Sequence, residues 1–152
     1  MKKSGFTLIE LLVVIAIIAI LAVVVFVALD PATRFADSRN SRRWSDVNNL
    51  LTAIHECIVD SGGNLTTCGL TADSNTYQLG TAATGCNTLC STAETACLDL
   101  STELSSYLKS IPLDPSDGVA ATTAYSVTVD SNNLVTVDGC SAENSETVAV
   151  SR

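Results

Sequence analysis

A chain of 152 residues has room for one ordinary domain, but its first 29 residues are set apart by composition, which leaves a soluble part with a modest core. The formal charge is −8, and from Trp44 to Arg152 there are 13 acidic residues against Lys109 and Arg152, a net −11. Such a surface repels phosphate backbones, which counts against nucleic-acid binding by this region. With His55 as the single histidine, the sequence offers no convincing Ser–His or Cys–His arrangement and does not read as an enzyme.

From Phe6 to Leu29 the chain is apolar apart from Thr7 and Glu10, and Leu11 to Leu29 is an unbroken apolar run of 19 residues. A helix of that length covers about 28 Å at roughly 1.5 Å per residue, enough to cross a hydrocarbon core of roughly 30 Å. Lys2 and Lys3 precede the run and favour a cytoplasmic N-terminus, whereas Arg34, Arg39, Arg42 and Arg43 behind it pull the other way. The expectation of a cytoplasmic N-terminus rests on the leader-like character of the first residues. Two bland readings compete. A secretory signal has a shorter apolar core and a small-residue cleavage site, and no convincing A-x-A motif follows here. A generic single-pass anchor needs only the span and leaves Glu10 unexplained, although a carboxylate in such a segment costs on the order of 3 kcal/mol and marks function.

The stretch Lys2-Lys3-Ser4-Gly5-Phe6-Thr7-Leu8-Ile9-Glu10-Leu11-Leu12-Val13-Val14 resembles, at nearly every position, the class III signal of type IV pilins and type II secretion pseudopilins. The resemblance implies cleavage by prepilin peptidase between Gly5 and Phe6, N-methylation of Phe6, and retention of the apolar helix. It also implies the partners: copies of the chain and other pilins in a helical filament, the peptidase, an inner-membrane assembly platform and the membrane itself. Glu10 is the residue it implicates in assembly, by pairing with the amine of an adjacent subunit. That role is sound physically, because the trimmed Phe6 amine is expensive to bury unpaired and a neighbour's carboxylate offsets it.

Asp30-Pro31 ends the run. Pro31 fits the first turn of a new helix, Asp30 is a good N-cap for it, and the junction is expected to act as a flexible joint. Beyond it, Trp44, Val47, Leu50, Leu51, Ile54 and Ile58 recur at helical spacing and predict a stripe that docks on the domain. Arg39, Arg42, Arg43 and Asp46 are expected on the other face, either solvated near lipid headgroups or meeting acidic neighbours in a filament. His55 reads as structural.

Six cysteines, Cys57, Cys68, Cys86, Cys90, Cys97 and Cys140, all follow the apolar segment. An even count in a small polar domain reads as a disulfide framework; the rival is zinc, but there is no C-x-x-C pair. Of the 15 pairings that six cysteines permit, Cys57 with Cys68 is the most natural local one, across Gly62-Gly63. Ser61 to Cys90 reads as a polar loop with a short strand at Tyr77-Gln78-Leu79. Ser91 with Glu94 forms a capping box, and Ala93, Ala96, Cys97, Leu100, Leu104, Tyr107, Leu108 and Ile111 predict a second helix of about 18 residues ended by Pro112.

The connector from Ile111 to Gly118 is turn-rich, and its Pro112-Leu113-Asp114-Pro115 run resembles the proline-aspartate-proline loop of G-type pseudopilins. Some of those bind calcium nearby, and Asp114 and Asp117 offer oxygens, but their spacing is not that of an EF-hand. Tyr125, Val127 and Val129, then Val135 and Val137 across an Asp130–Asn133 turn, alternate as antiparallel strands, with a third at Thr147 to Ser151. Cys140 is placed to tie this sheet to the Cys86–Cys97 region. Asn64-Leu65-Thr66 is a glycosylation sequon that many bacteria leave unused.

The expected architecture is α+β and pilin-like: leader 1–5, membrane and filament-core helix 6–29, amphipathic continuation 30–60, and a disulfide-stapled extracytoplasmic domain 61–152. The expected function is a prepilin of a type IV pilus or a type II secretion pseudopilus, with no cofactor and no metal. The alternative is a single-pass anchored domain that binds a ligand outside the cell.

Overall fold

The computed structural model describes residues 5–152, so Lys2 and Lys3 and the rest of the expected leader before Gly5 lie outside the described residues. Two compact units are present, one reaching Phe35 and the other running from Ala36 to Arg152.

The first unit is built on helix α1, Leu8–Leu29, which buries none of its residues. Branched aliphatic residues fill it on every side, so it has no polar face to turn to water and no apolar partner within its own unit. Asp30 ends α1 in the left-handed conformation, φ 38° and ψ 70°, which aspartate tolerates better than most residues. Helix α2, Pro31–Asp60, begins at the next residue. The Arg34 N–H donates to the Asp30 carbonyl at 3.3 Å, and the Thr33 hydroxyl donates to the Asp30 carboxylate at 2.5 Å. Asp30 therefore closes one helix and opens the next, and Pro31 occupies the one helical position where its missing N–H costs nothing.

The second unit folds around the rest of α2. Val47, Leu50, Leu51, Ile54 and Cys57 are buried along one stripe of that helix. They share a core with Leu70, Leu79, Leu100, Leu104, Tyr125, Val127, Val137 and Val148. The sheet is antiparallel with strand order β1-β2-β3-β4, made of β1 Thr76–Gln78, β2 Tyr125–Val129, β3 Val135–Gly139 and β4 Ala149–Ser151. Its register aligns Tyr77, Val127, Val137 and Val150 in one row across the four strands. That row is the core face, because period-two alternation puts every second side chain of a strand on one side. The Asp130 carboxylate accepts the Asn132 and Leu134 N–H groups at 2.8 Å and so shapes the hairpin between β2 and β3.

The structure corrects one expected element. No helix forms between Ser91 and Ile111. Instead Ala93 and Leu98 make single parallel bridges to Thr76 and Leu79 beside β1. Leu98 N–H donates to the Gln78 carbonyl at 2.9 Å, and Gly80 N–H donates to the Leu98 carbonyl at 3.1 Å. Cys97 is held by Cys86 and Cys90 by Cys140, and together with the bridges beside β1 these bonds fix the course of the segment. The helical spacing survives only as isolated turns, in which Leu104 N–H donates to the Leu100 carbonyl and Leu108 N–H to the Leu104 carbonyl.

Candidate assembly segment and buried ion cluster

At the start of α1, Thr7 is the N-cap in an extended conformation, φ −82° and ψ 151°. Its N–H donates to Glu10 Oε2 at 2.8 Å, its hydroxyl donates to the same oxygen at 2.7 Å, and the Glu10 N–H returns a bond to the hydroxyl at 3.3 Å. This reciprocal capping box satisfies two of the amides that a helix start leaves open. Phe6 stands just outside it, 84% exposed. A Cβ built on Gly5 would meet nothing within 4 Å. The fold thus makes no demand for glycine at that position, and any requirement for it comes from outside the chain. Gly5, Phe6 and Glu10 lie within six residues of one another on an accessible helix end.

Three disulfides join Cys57 to Cys68, Cys86 to Cys97 and Cys90 to Cys140, so all six cysteines are paired. Cys57–Cys68 ties the end of α2 to the 3-10 turn Thr66–Cys68. Cys90–Cys140 spans 50 residues and connects the long loop to the residue after β3. The loop from Ser61 onward has little regular structure of its own, and these staples give it fixed ends.

The largest departure from the sequence reading concerns the arginines of α2. Arg43 is not on an exposed face: its side chain is fully buried, as is that of Asp114. Arg43 Nε and Nη2 donate to the two Asp114 oxygens at 2.5 and 3.0 Å, the two-pronged geometry that suits a guanidinium and a carboxylate. Its Nη1 donates to Glu143 Oε2 at 3.0 Å and to Asn40 Oδ1 at 2.8 Å. Arg39 clasps the same Glu143 at 2.6 and 2.7 Å. Nearby, Trp44 Nε1 donates to Glu146 at 2.8 Å, and the Asn40 amide spans the Glu143 carbonyl and the Glu146 carboxylate.

One helical turn of α2 therefore grips the 111–118 connector and the loop after β3 together. The two arginine partners hold the Glu143 carboxyl far below its ordinary value, at about 2. Burial pushes the Asp114 carboxyl up, but the Arg43 guanidinium and the Ser116 and Asp117 donors outweigh it and leave a net lowering. The signal was present in the sequence: Arg43 precedes Val47 by four residues and Leu50 by seven, which places it on the buried stripe. A charged side chain at such a position implies a buried partner, but the partner's identity, 71 residues away, is not local information.

Asp114 is fully engaged inside this cluster. Both of its oxygens are engaged by Arg43, and Oδ1 additionally accepts the Ser116 and Asp117 N–H groups at 2.9 and 3.2 Å. The Asp114 oxygens on which the calcium reading drew are thus turned to the Arg43 guanidinium. Among the described residues no group of three or more His, Cys, Asp or Glu is arranged to hold a metal ion. His55 sits on α2 with Nε2 enclosed and unbonded.

Comparison with known proteins gives one match. Residues 1–26 fit the model of the prokaryotic N-terminal methylation motif. No curated protein and no solved structure matches the chain. The match covers the capping box, Gly5, Phe6 and most of α1, and the chain thus carries the class III signal of type IV pilins and pseudopilins on a pilin-like α+β fold.

Proposed function

We propose that the chain is a structural subunit of a type IV pilus or a type II secretion pseudopilus, inserted in the inner membrane with its N-terminus in the cytoplasm. Prepilin peptidase cuts after Gly5, Phe6 becomes the methylated N-terminus, and α1 then forms part of a filament core. The observation that carries this reading is α1 itself, a helix of 22 residues with no buried residue and one carboxylate. At about 1.5 Å per residue it is roughly 33 Å long, a match for the hydrocarbon core.

Lipid tails and the side chains of neighbouring copies are equally apolar, so moving α1 from membrane to filament changes its apolar contacts little. What changes is the environment of Glu10. Among the described residues its hydrogen-bond partner is Thr7, at 2.7 and 2.8 Å. Cleavage creates an amine at Phe6, and burying that amine among helices is costly unless an adjacent copy offers a carboxylate. Glu10 supplies it, and the pairing sets the register between copies. The domain from Ala36 to Arg152 travels as the exposed part, with its disulfides formed outside the cytoplasm.

Replacing Gly5 with a bulkier residue tests the reading, since the fold itself tolerates a side chain there. The variant should insert, remain uncut and be missing from filaments. Normal maturation of that variant would leave only a membrane anchor carrying a domain.

A further inference from the structure

The domain from Ala36 onward holds 14 acidic residues and five basic ones, so two copies brought side by side repel one another. Arg39 and Arg43 are spent on Glu143 and Asp114 within the chain. Of the three cations left, Arg42 and Lys109 line the same recess, of about 570 Å³. Lys109 is exposed and makes no ion pair among the described residues. Arg42 is held loosely: its one carboxylate is Asp46 at 3.8 Å, and that oxygen already accepts the Tyr125 hydroxyl at 2.8 Å.

The recess carries a single acid, Asp99, whose Oδ1 accepts the Ser101 N–H at 2.9 Å, so the site keeps an excess positive charge. Ile111, Pro112 and Leu113 supply an apolar wall. The opposite wall passes over Gly80, where a Cβ would collide with the Ala121 carbonyl. The backbones at Gly80, two residues past β1, and at Ala121 are therefore in close contact at this side of the recess.

We propose that this recess is a docking site for an exposed carboxylate on a neighbouring copy of the chain, making a head-to-tail contact between domains in the filament. The inference rests on the filament reading and adds to it the surface through which the acidic domains meet. Charge complementarity is the ground for choosing a second copy. Each domain presents an excess of carboxylates, and this recess brings together Lys109, which makes no ion pair among the described residues, and Arg42, whose ion pair with Asp46 is long at 3.8 Å. An exposed contact of this kind steers association and fixes orientation more than it adds affinity, and it weakens as salt rises.

Lys109 makes the test specific. The sequence has three lysines, and Lys2 and Lys3 leave with the leader, so the mature chain keeps Lys109 alone. Filaments sheared from cells producing the full chain should be treated with a zero-length carbodiimide coupler, then denatured, reduced and mapped by mass spectrometry. The expected product is an intermolecular amide between Lys109 and an Asp or Glu of another copy, absent from Lys109→Arg filaments. The double variant Arg42→Glu, Lys109→Glu should insert normally, keep its melting temperature and lose filament yield several-fold. Intact filaments that give no intermolecular Lys109 adduct, or full yield from the double variant, would overturn the docking site while leaving the filament reading in place. Wild-type protein that stays uncut and never forms filaments would overturn both.

Discussion

Removing the carboxylate of Asp114 tests the buried ion cluster most severely. Arg43 has no exposed side-chain surface, so in Asp114→Ala its charge cannot escape to water without opening the domain. Breaking a buried pair by deleting one partner typically costs about 3–5 kcal/mol. Glu143 remains 3.0 Å from Arg43 Nη1 and supplies part of the lost interaction, so the expected cost is near the lower end, about 3 kcal/mol. In urea this should lower the unfolding midpoint by about 1–3 M, for a slope of about 1–3 kcal/mol/M.

The assay is equilibrium unfolding of the full chain in mild detergent with disulfides intact, followed by fluorescence of the single tryptophan. Trp44 adjoins Arg43 in sequence and bonds Glu146, so it reports on the cluster directly. Arg42→Gln, an exposed neighbour, should shift stability by less than about 0.5 kcal/mol. The double replacement Arg43→Met, Asp114→Leu should recover most of the loss, because it leaves no orphaned charge and Glu143 keeps Arg39. A loss below about 1 kcal/mol in Asp114→Ala would refute the view that this charge is confined.

The remaining predictions concern charge, staples and assembly. Glu143 is depressed from an ordinary 4.5 to about 2, so its contribution is complete above about 4.5 and disappears as pH falls toward 2. Stability against pH should therefore fall through that window, less steeply in Glu143→Gln; Asp138, raised by burial, acts in the opposite sense. Native and reduced masses should differ by six hydrogens, and peptide maps should give the three pairings found here. Opening Cys90–Cys140, which closes 50 residues, should cost about 4 kcal/mol, against about 3 for either bond that closes 11. Glu10→Gln should insert as well as the parent but assemble poorly, measured by comparing membrane-bound and sheared fractions.

The parts legible in the sequence were those set by local pattern. The apolar run of α1, the stripe from Val47 to Ile58 and the alternating valines of β2 and β3 are periodic signals, and each became the expected element. The break at Asp30-Pro31 was legible for the same reason, since proline chemistry is local. The segment from Ser91 to Ile111 misled because its Leu100, Leu104 and Leu108 keep helical spacing while disulfides and strand bridges hold its backbone elsewhere. Such long-range bonds outweigh a weak propensity. The residue type of Arg43 suggests a polar face, whereas its position in the stripe points inward. Its partners lie 71 and 100 residues away, on loops whose course depends on the finished fold.

The central claim is tested most directly by the intact mass of the mature N-terminal peptide from sheared filaments. The account predicts a chain that starts at Phe6 and carries one added methyl group. A native protein that still begins at Met1, or one never recovered in filaments, would contradict it.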